Sequence, residues 1–207
     1  MDRQRTVGIV LFDEVEVLDF AGPFEVFSTT QYLDSDETKP FVVNTVSETG
    51  AQVRARNGLL VQPDYNFQKC PHFDILIVPG GPGARGKEFD NDVMIQWIVG
   101  QMTVVELMAS VCTGALLLAK GGLLDGLKAT THWASYDRLE SEFPKVNVQR
   151  GVKFVDQGSV ITSAGISAGI NMSFHIVCKL LGSEVAGATA RQMEYDIEPG
   201  YLGISPD

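Results

Sequence analysis

Short, almost wholly apolar runs alternate along the chain with longer stretches whose apolar residues recur at helical spacing. "TVGIVLF" (Thr6 to Phe12) and "FDILIVPGG" (from Phe73) read as strands covered on both faces. "FVVNTVS" (Phe41 to Ser47) and "LMASV" (Leu107 to Val111) are strand-like too. "GPFEVFSTTQYL", "NDVMIQWIVGQM", "GALLLA", "HWASYDRLESEF", "ISAGINMSFHIVCKLLG" and "SEVAGATARQMEY" predict helices. Pro23 suits a first helical position, Asn91 and Ser183 suit caps, and Gly182 suits a stop. Asn57-Gly58 and Asp156-Gln157-Gly158 each sit between short strand-like runs and predict hairpins. "LDSDETKP" reads as a polar loop and "EPGYLGISPD" as an irregular tail.

This alternation predicts an α/β fold: a three-layer sandwich with a mostly parallel sheet and helices on both faces. No internal repeat, low-complexity run or long linker divides it, so residues 1–207 are expected to form one domain. Ligands in such folds bind beyond the carboxyl ends of the strands. Three segments end strands there: Asp13 to Pro23, Pro79 to Gly83, and Val111 to Gly114.

Charge narrows the partners. Sixteen Lys and Arg against 26 Asp and Glu give a net charge of −10, which disfavours an electrostatic grip on nucleic acid or an anionic membrane. No stretch approaches the roughly 20 apolar residues of a membrane span. The N-terminus has a charged start, but its apolar run is short and meets acids, so no signal peptide is expected. Three widely spaced cysteines do not make a disulfide framework. A reducing, cytoplasmic setting is therefore expected.

Cys112 falls where strand passes into helix. A thiol at such a corner projects over the sheet, and the following helix supplies unpaired N–H groups that favour a thiolate. Thr113, Gly114 and Ala115 are small enough to admit a substrate to that backbone. The alternative is a buried structural cysteine. Cys178, inside an amphipathic helix, reads as core, and Cys70 lies in a loop. Metal ligands at workable spacing are lacking, so no metal is expected. No G-x-G-x-x-G follows the first strand, so no dinucleotide cofactor is expected either. His132, between a short strand and a helix, reads either as a partner for the thiol or as a helix cap. His175 reads as packing. Asp19 lies between Leu18 and Phe20, an apolar setting that raises the pKa of an unpaired acid; the alternative is a helix N-terminal acid. Asp13, Glu14 and Glu16 read as solvated.

"LDFAGPFEVF", "ILIVPGGPGA", "SVCTGALLLAKGGLLDGLKATTHW" and "ITSAGISAGIN" occur in that order. Together they resemble the ThiJ/PfpI superfamily, with its class I glutamine-amidotransferase-like fold, over roughly Val7 to Tyr195. The aspartate before Gly-Pro, the Cys-Thr-Gly elbow and "TTHW" are most similar to the isocyanide hydratase branch. The resemblance implies Cys112 as nucleophile, Asp19 as the acid at its sulfur, and Thr113 as the residue whose N–H lies at the site. It implies a Gly81 N–H facing the same pocket and His132 near it. Ile166 and Trp133 are expected to line that pocket. Many superfamily members carry glutamate where Asp19 stands. Thr113 replaces the histidine of the peptidase-like Cys-His pair, and the amidotransferase His-x-Glu is missing.

The implied activity is hydration of an isocyanide to an N-substituted formamide through a Cys112 thioimidate, with no cofactor. The implied assembly is a homodimer, which an apolar face around Phe24, Val26 and Phe27 would suit. Two alternatives stay open. One is a glyoxalase-like or cysteine redox-sensing protein. The other is a stand-alone ligand-sensing domain related to AraC-type regulators. Such regulators also need a helix-turn-helix domain, which the sequence up to Asp207 does not show.

Overall fold

The computed structural model describes residues 3–33 and 38–202. Half of the "LDSDETKP" loop (residues 34–37) and the last five residues of the tail lie outside the described residues. In chain order the elements are β1 (Arg5–Val10), α1 (Val17–Thr29), β2 (Phe41–Ser47), β3 (Val53–Arg54), β4 (Leu60–Val61), β5 (Tyr65–Asn66) and β6 (Ile75–Val78). They continue with α2 (Pro82–Arg85), α3 (Asp92–Met102), β7 (Leu107–Val111), α4 (Gly114–Lys120), β8 (Lys128–Ala129), α5 (Tyr136–Glu142) and β9 (Asn147–Val148). Last come β10 (Phe154–Asp156), β11 (Val160–Ser163), α6 (Ala168–Leu181) and α7 (Ser183–Gln192).

Seven strands form the main sheet in the order β10-β11-β7-β6-β1-β2-β5. Every pairing is parallel except β10 with β11. The apolar runs of the sequence become the central strands, and all residues of β6 and β7 are buried. Helices α1, α6 and α7 pack together as one layer, and α2, α3 and α4 gather as another. Phe27, Phe41, Phe73, Phe174, Leu76 and Met108 are fully buried between the layers. From β1 the chain builds outward to β2 on one side and returns to β6 on the other. The carboxyl ends of β1 and β6 therefore flank a crevice of the kind where α/β sheets bind ligands.

Local chemistry sets the boundaries. Asn57 and Gly58 take positive φ values of 64° and 96°, and β3 pairs antiparallel with β4 around them. The Asp156 to Gly158 turn likewise joins β10 to β11. Asn91 caps α3, its side-chain oxygen accepting from Val93 and Met94 N–H. Gly182 ends α6 with φ 92°.

Several expectations are corrected. α1 begins at Val17, so Pro23 lies inside the helix rather than at its start. Gly182, not Ser183, occupies the position before α7, and Ser183 is its first residue. Val26 and Phe27 are fully buried in the core, which leaves Phe24 as the exposed member of that apolar group. His175 does more than pack: its Nε2 lies 2.8 Å from Asp156 Oδ2, beneath the Phe154 ring. Cys178 is only partly buried, at the edge of the core. No helix among the described residues is long and apolar enough to cross a membrane.

Candidate active site

Cys112 follows the last residue of β7 and precedes α4 by one residue. Its φ is 56°, a left-handed conformation that costs a non-glycine residue of order 1–2 kcal/mol. Surrounding bonds hold it there. Its N–H is shared between the carbonyls of Ser163 and Ala164, both at 3.2 Å. Its carbonyl accepts from the buried Thr131 hydroxyl at 2.7 Å. The helix start must also pass close under β6: a Cβ on Gly114 would stand 2.0 Å from the Val78 carbonyl oxygen. Ile166, a β-branched residue in the loop after β11, has φ 43°. Thus two strained backbones flank one sulfur, and the N–H groups of Thr113 and Ile166 hydrogen-bond to it.

Asp19 reaches the same sulfur from α1 and is completely buried. Its Oδ2 accepts from Gly80 N–H at 3.0 Å. Its Oδ1 is buried with no hydrogen-bond partner of good geometry, although the Cys112 thiol is close enough to act on the carboxyl. Burial pushes Asp19 up to about 7; the Gly80 N–H pulls it down, the Glu16 charge pushes it up, and the Cys112 thiol pulls it down. A buried carboxyl that titrates near neutrality beside a thiol is chemically able to exchange a proton with it.

The thiol itself is not low. Burial and then the Asp19 charge push Cys112 up to about 12, and the N–H groups of Thr113 and Ile166 counter them only in part. The expectation that the helix start favours the thiolate is corrected on this point. Desolvation of the sulfur outweighs the N–H groups that would stabilise its charge.

The backbone of Gly81 is also corrected. Its N–H does not face the cavity but donates to Thr113 Oγ1 at 2.9 Å, and the Thr113 hydroxyl lies 3.3 Å from the Gly81 carbonyl. Gly81 still lines the cavity, with φ 125° and no room for a side chain: a Cβ would meet Glu14 O and Glu16 N at 2.5 Å.

The cavity over Cys112 holds about 240 Å³. Cys112, Thr113, Gly81, His132 and Ile166 line it, as expected from the sequence. Asp19 sits behind Cys112 rather than on the wall. His132 fills its cap reading, its Nδ1 accepting from Ala134 N–H at 3.3 Å, and it also borders the cavity. Burial, then the charge of Arg85, hold its imidazole below its usual pKa, so it is neutral at pH 7. Trp133 is 73% exposed, an outward-facing neighbour of the site.

Three wall residues escape sequence reasoning: Glu16, Arg56 and Arg85. Glu16 is largely buried and pairs with Arg56, so it is not a solvated acid. The β3–β4 hairpin brings Arg56 in, because Arg56 N–H donates to Val15 O at 2.9 Å and Glu14 N–H to Arg54 O at 2.8 Å. Among the described residues no cluster of three or more His, Cys, Asp and Glu side chains could hold a metal ion.

This architecture places the chain among α/β proteins that carry a cysteine at a strand-to-helix elbow. Known sequences supply the family: residues 5–179 match the DJ-1/PfpI family, and the chain belongs to it. It is 33% identical to isonitrile hydratase of Pseudomonas putida over 201 residues, covering 97% of this chain and 83% of that protein. It is also 28% identical to the HTH-type transcriptional regulator GbdR of Pseudomonas aeruginosa, over 93% of this chain but only 51% of the regulator. A ThiJ/PfpI family protein from Pseudomonas syringae superposes with a TM-score of 0.83 at 25% identity, covering 95% of this chain and 77% of that one. Drosophila melanogaster DJ-1beta superposes at 0.80 with 18% identity, covering 94% of this chain and all of that one.

Proposed function

We propose that this chain hydrates isocyanides (isonitriles) to N-substituted formamides, with Cys112 as nucleophile and Asp19 as proton shuttle. The observation that carries this reading is the buried Asp19 carboxyl, poised near neutrality, close enough to the Cys112 thiol to act on it and with one oxygen left unsatisfied. The likeness to isonitrile hydratase over nearly the whole chain supports the same chemistry.

The steps balance without an outside reagent. The Cys112 thiol passes its proton to the Asp19 carboxylate. Asp19 delivers that proton to the isocyanide carbon while the sulfur attacks it, forming a C–H bond and a C–S bond. The product is a thioimidate, R–N=CH–S–Cys112. Water adds across the C=N bond, its oxygen to carbon and one proton to nitrogen. The C–S bond then breaks, and the hydroxyl proton returns to the thiolate as the formamide carbonyl forms.

A high resting thiol pKa is compatible with this sequence. The thiolate forms only as Asp19 takes the proton, so the charge moves within the buried pair and is never exposed to solvent. Thr113 and Ile166 N–H groups steady the sulfur as it ionises and as it leaves. Neutral His132 borders the space where water enters.

Incubation with an aryl isocyanide and, in parallel, with methylglyoxal tests the reading. Formamide from the first and no lactate from the second supports it. Lactate without formamide replaces it with glyoxalase-like chemistry.

A second reading rests on the GbdR alignment, in which this chain spans about half of a regulator's length. Under that reading the cavity binds a small ligand without turning it over. Thermal stabilisation by an isocyanide that is recovered unchanged would favour it.

A further inference from the structure

The charges around the cavity do not cancel. Glu16 and Arg56 satisfy each other, His132 is neutral, and Asp19 lies behind the sulfur. Arg85 remains. It ends α2, borders the cavity at its solvent-exposed side, and has no carboxylate within salt-bridge distance among the described residues. Its backbone is fixed, since Arg138 Nη1 donates to the Arg85 carbonyl at 2.9 Å. Arg138 is itself held by Glu142 at 2.9 Å and lies over the Phe89 ring. A solvent-exposed arginine with an anchored backbone and an unpaired charge thus stands on the wall of the cavity that holds Cys112. In a protein of net charge −10 this is a local positive exception.

Resting on the hydratase reading, we propose that the substrate carries a carboxylate, which Arg85 receives while the reacting carbon lies on the Cys112 sulfur. A guanidinium offers two parallel N–H donors that match a carboxylate, and such charge-assisted pairs orient as well as bind. Because Arg85 and Cys112 border one cavity of about 240 Å³, the anion and the reacting carbon belong to one small molecule with a short spacer. The substrate class is a short isocyano acid rather than a neutral alkyl isocyanide.

Alkylation of Cys112 tests the anion site apart from isocyanide chemistry. Iodoacetate and iodoacetamide put the same carbon on the same sulfur and differ in charge, so the ratio of their rates cancels the thiolate fraction. Peptide mapping by mass spectrometry at pH 8 would follow Cys112 in the native protein, Arg85→Met and Arg85→Lys, with Cys70 as internal control. The expected result is an iodoacetate/iodoacetamide ratio at Cys112 about tenfold lower in Arg85→Met, the loss of one charge-assisted contact. Arg85→Lys should keep part of it, and the Cys70 ratio should not move. An unchanged ratio at Cys112 would overturn the proposal even if isocyanides are hydrated. Turnover of isocyanoacetate and its methyl ester supplies the second arm: the acid/ester ratio of kcat/KM should drop about tenfold in Arg85→Met. A shifted alkylation ratio with neither compound turned over keeps the anion site and removes the hydratase reading.

Discussion

Asp19 and Cys112 act on each other in opposite senses. The Asp19 charge adds to the burial that lifts the thiol to about 12, whereas the thiol works against the burial that lifts the carboxyl to about 7. The pair therefore holds its protons more tightly in the folded chain than in the unfolded one. For Asp19 the shift is from 3.8 to about 7, so the folded state binds the extra proton between those values. The contribution of Asp19 to stability is greatest below pH 4 and falls as pH rises to 7, by up to about 4 kcal/mol. Asn carries no charge and removes that slope. The Tm of Asp19→Asn minus that of the native protein should grow from pH 4 to pH 8, measured by calorimetry in matched buffers. A difference independent of pH would mean that Asp19 is not raised.

Thr113 spends its hydroxyl on Gly81. Thr113→Val keeps the shape but leaves the buried Gly81 N–H without its acceptor, at a cost of about 1–3 kcal/mol. Thr113→Ser keeps the oxygen and should cost less than about 1 kcal/mol. Urea unfolding of the two variants distinguishes them, and a loss in Thr113→Ser as large as that in Thr113→Val would show that the hydroxyl contributes no more than the methyl.

Gly114 and Gly126 make an internal comparison. A Cβ at Gly114 runs into the Val78 carbonyl, whereas one at Gly126 meets nothing within 4 Å and only strains a φ of 77°. Gly114→Ala should lose about 3 kcal/mol or more, and Gly126→Ala about 1 kcal/mol. Similar midpoints in urea for both would contradict the tight passage of α4 under β6.

Much of the layout was legible because it is written in local chemistry. Continuous apolar runs marked β1, β6 and β7. Asn57-Gly58 and Asp156-Gln157-Gly158 marked the turns, and the break after Val111 put Cys112 at a strand end. The start of α1 was not legible, because Glu16 precedes it without making a side-chain cap and Pro23 is a stronger but misleading signal. Glu16, Arg56 and Arg85 were missed for another reason. Each is a charged residue in a loop or at a short helix end, and only the tertiary fold brings it to the rim of the Cys112 cavity. The adjacency of Arg56 to the hairpin turn was a clue only once that hairpin was known to fold over the Phe12–Glu16 loop. The thiol pKa was misjudged because a helix start can be read from sequence, whereas the desolvation of one sulfur cannot.

Cys112 and Cys178 should separate cleanly. Cys112→Ala should abolish hydration, since the proposed chemistry has no other thiol at the cavity. Cys178→Ala should keep turnover and shift stability by about 1 kcal/mol or less, because that side chain is only partly buried. Formamide production by both variants, assayed by chromatography, would remove Cys112 from the chemistry.

The most direct measurement is the effect of Asp19→Asn on two reactions of the same sulfur. Alkylation of Cys112 needs only a thiolate. Removing the Asp19 charge lowers the thiol pKa, so iodoacetamide should react at least as fast as with the native protein. Hydration needs the carboxyl proton, and an amide cannot supply it, so kcat/KM for isocyanide should fall by about 10²–10⁴. Fast alkylation with collapsed hydration is the predicted result. Near-native hydration by Asp19→Asn would contradict it and reduce Asp19 to a buried acid that holds the Gly80 loop.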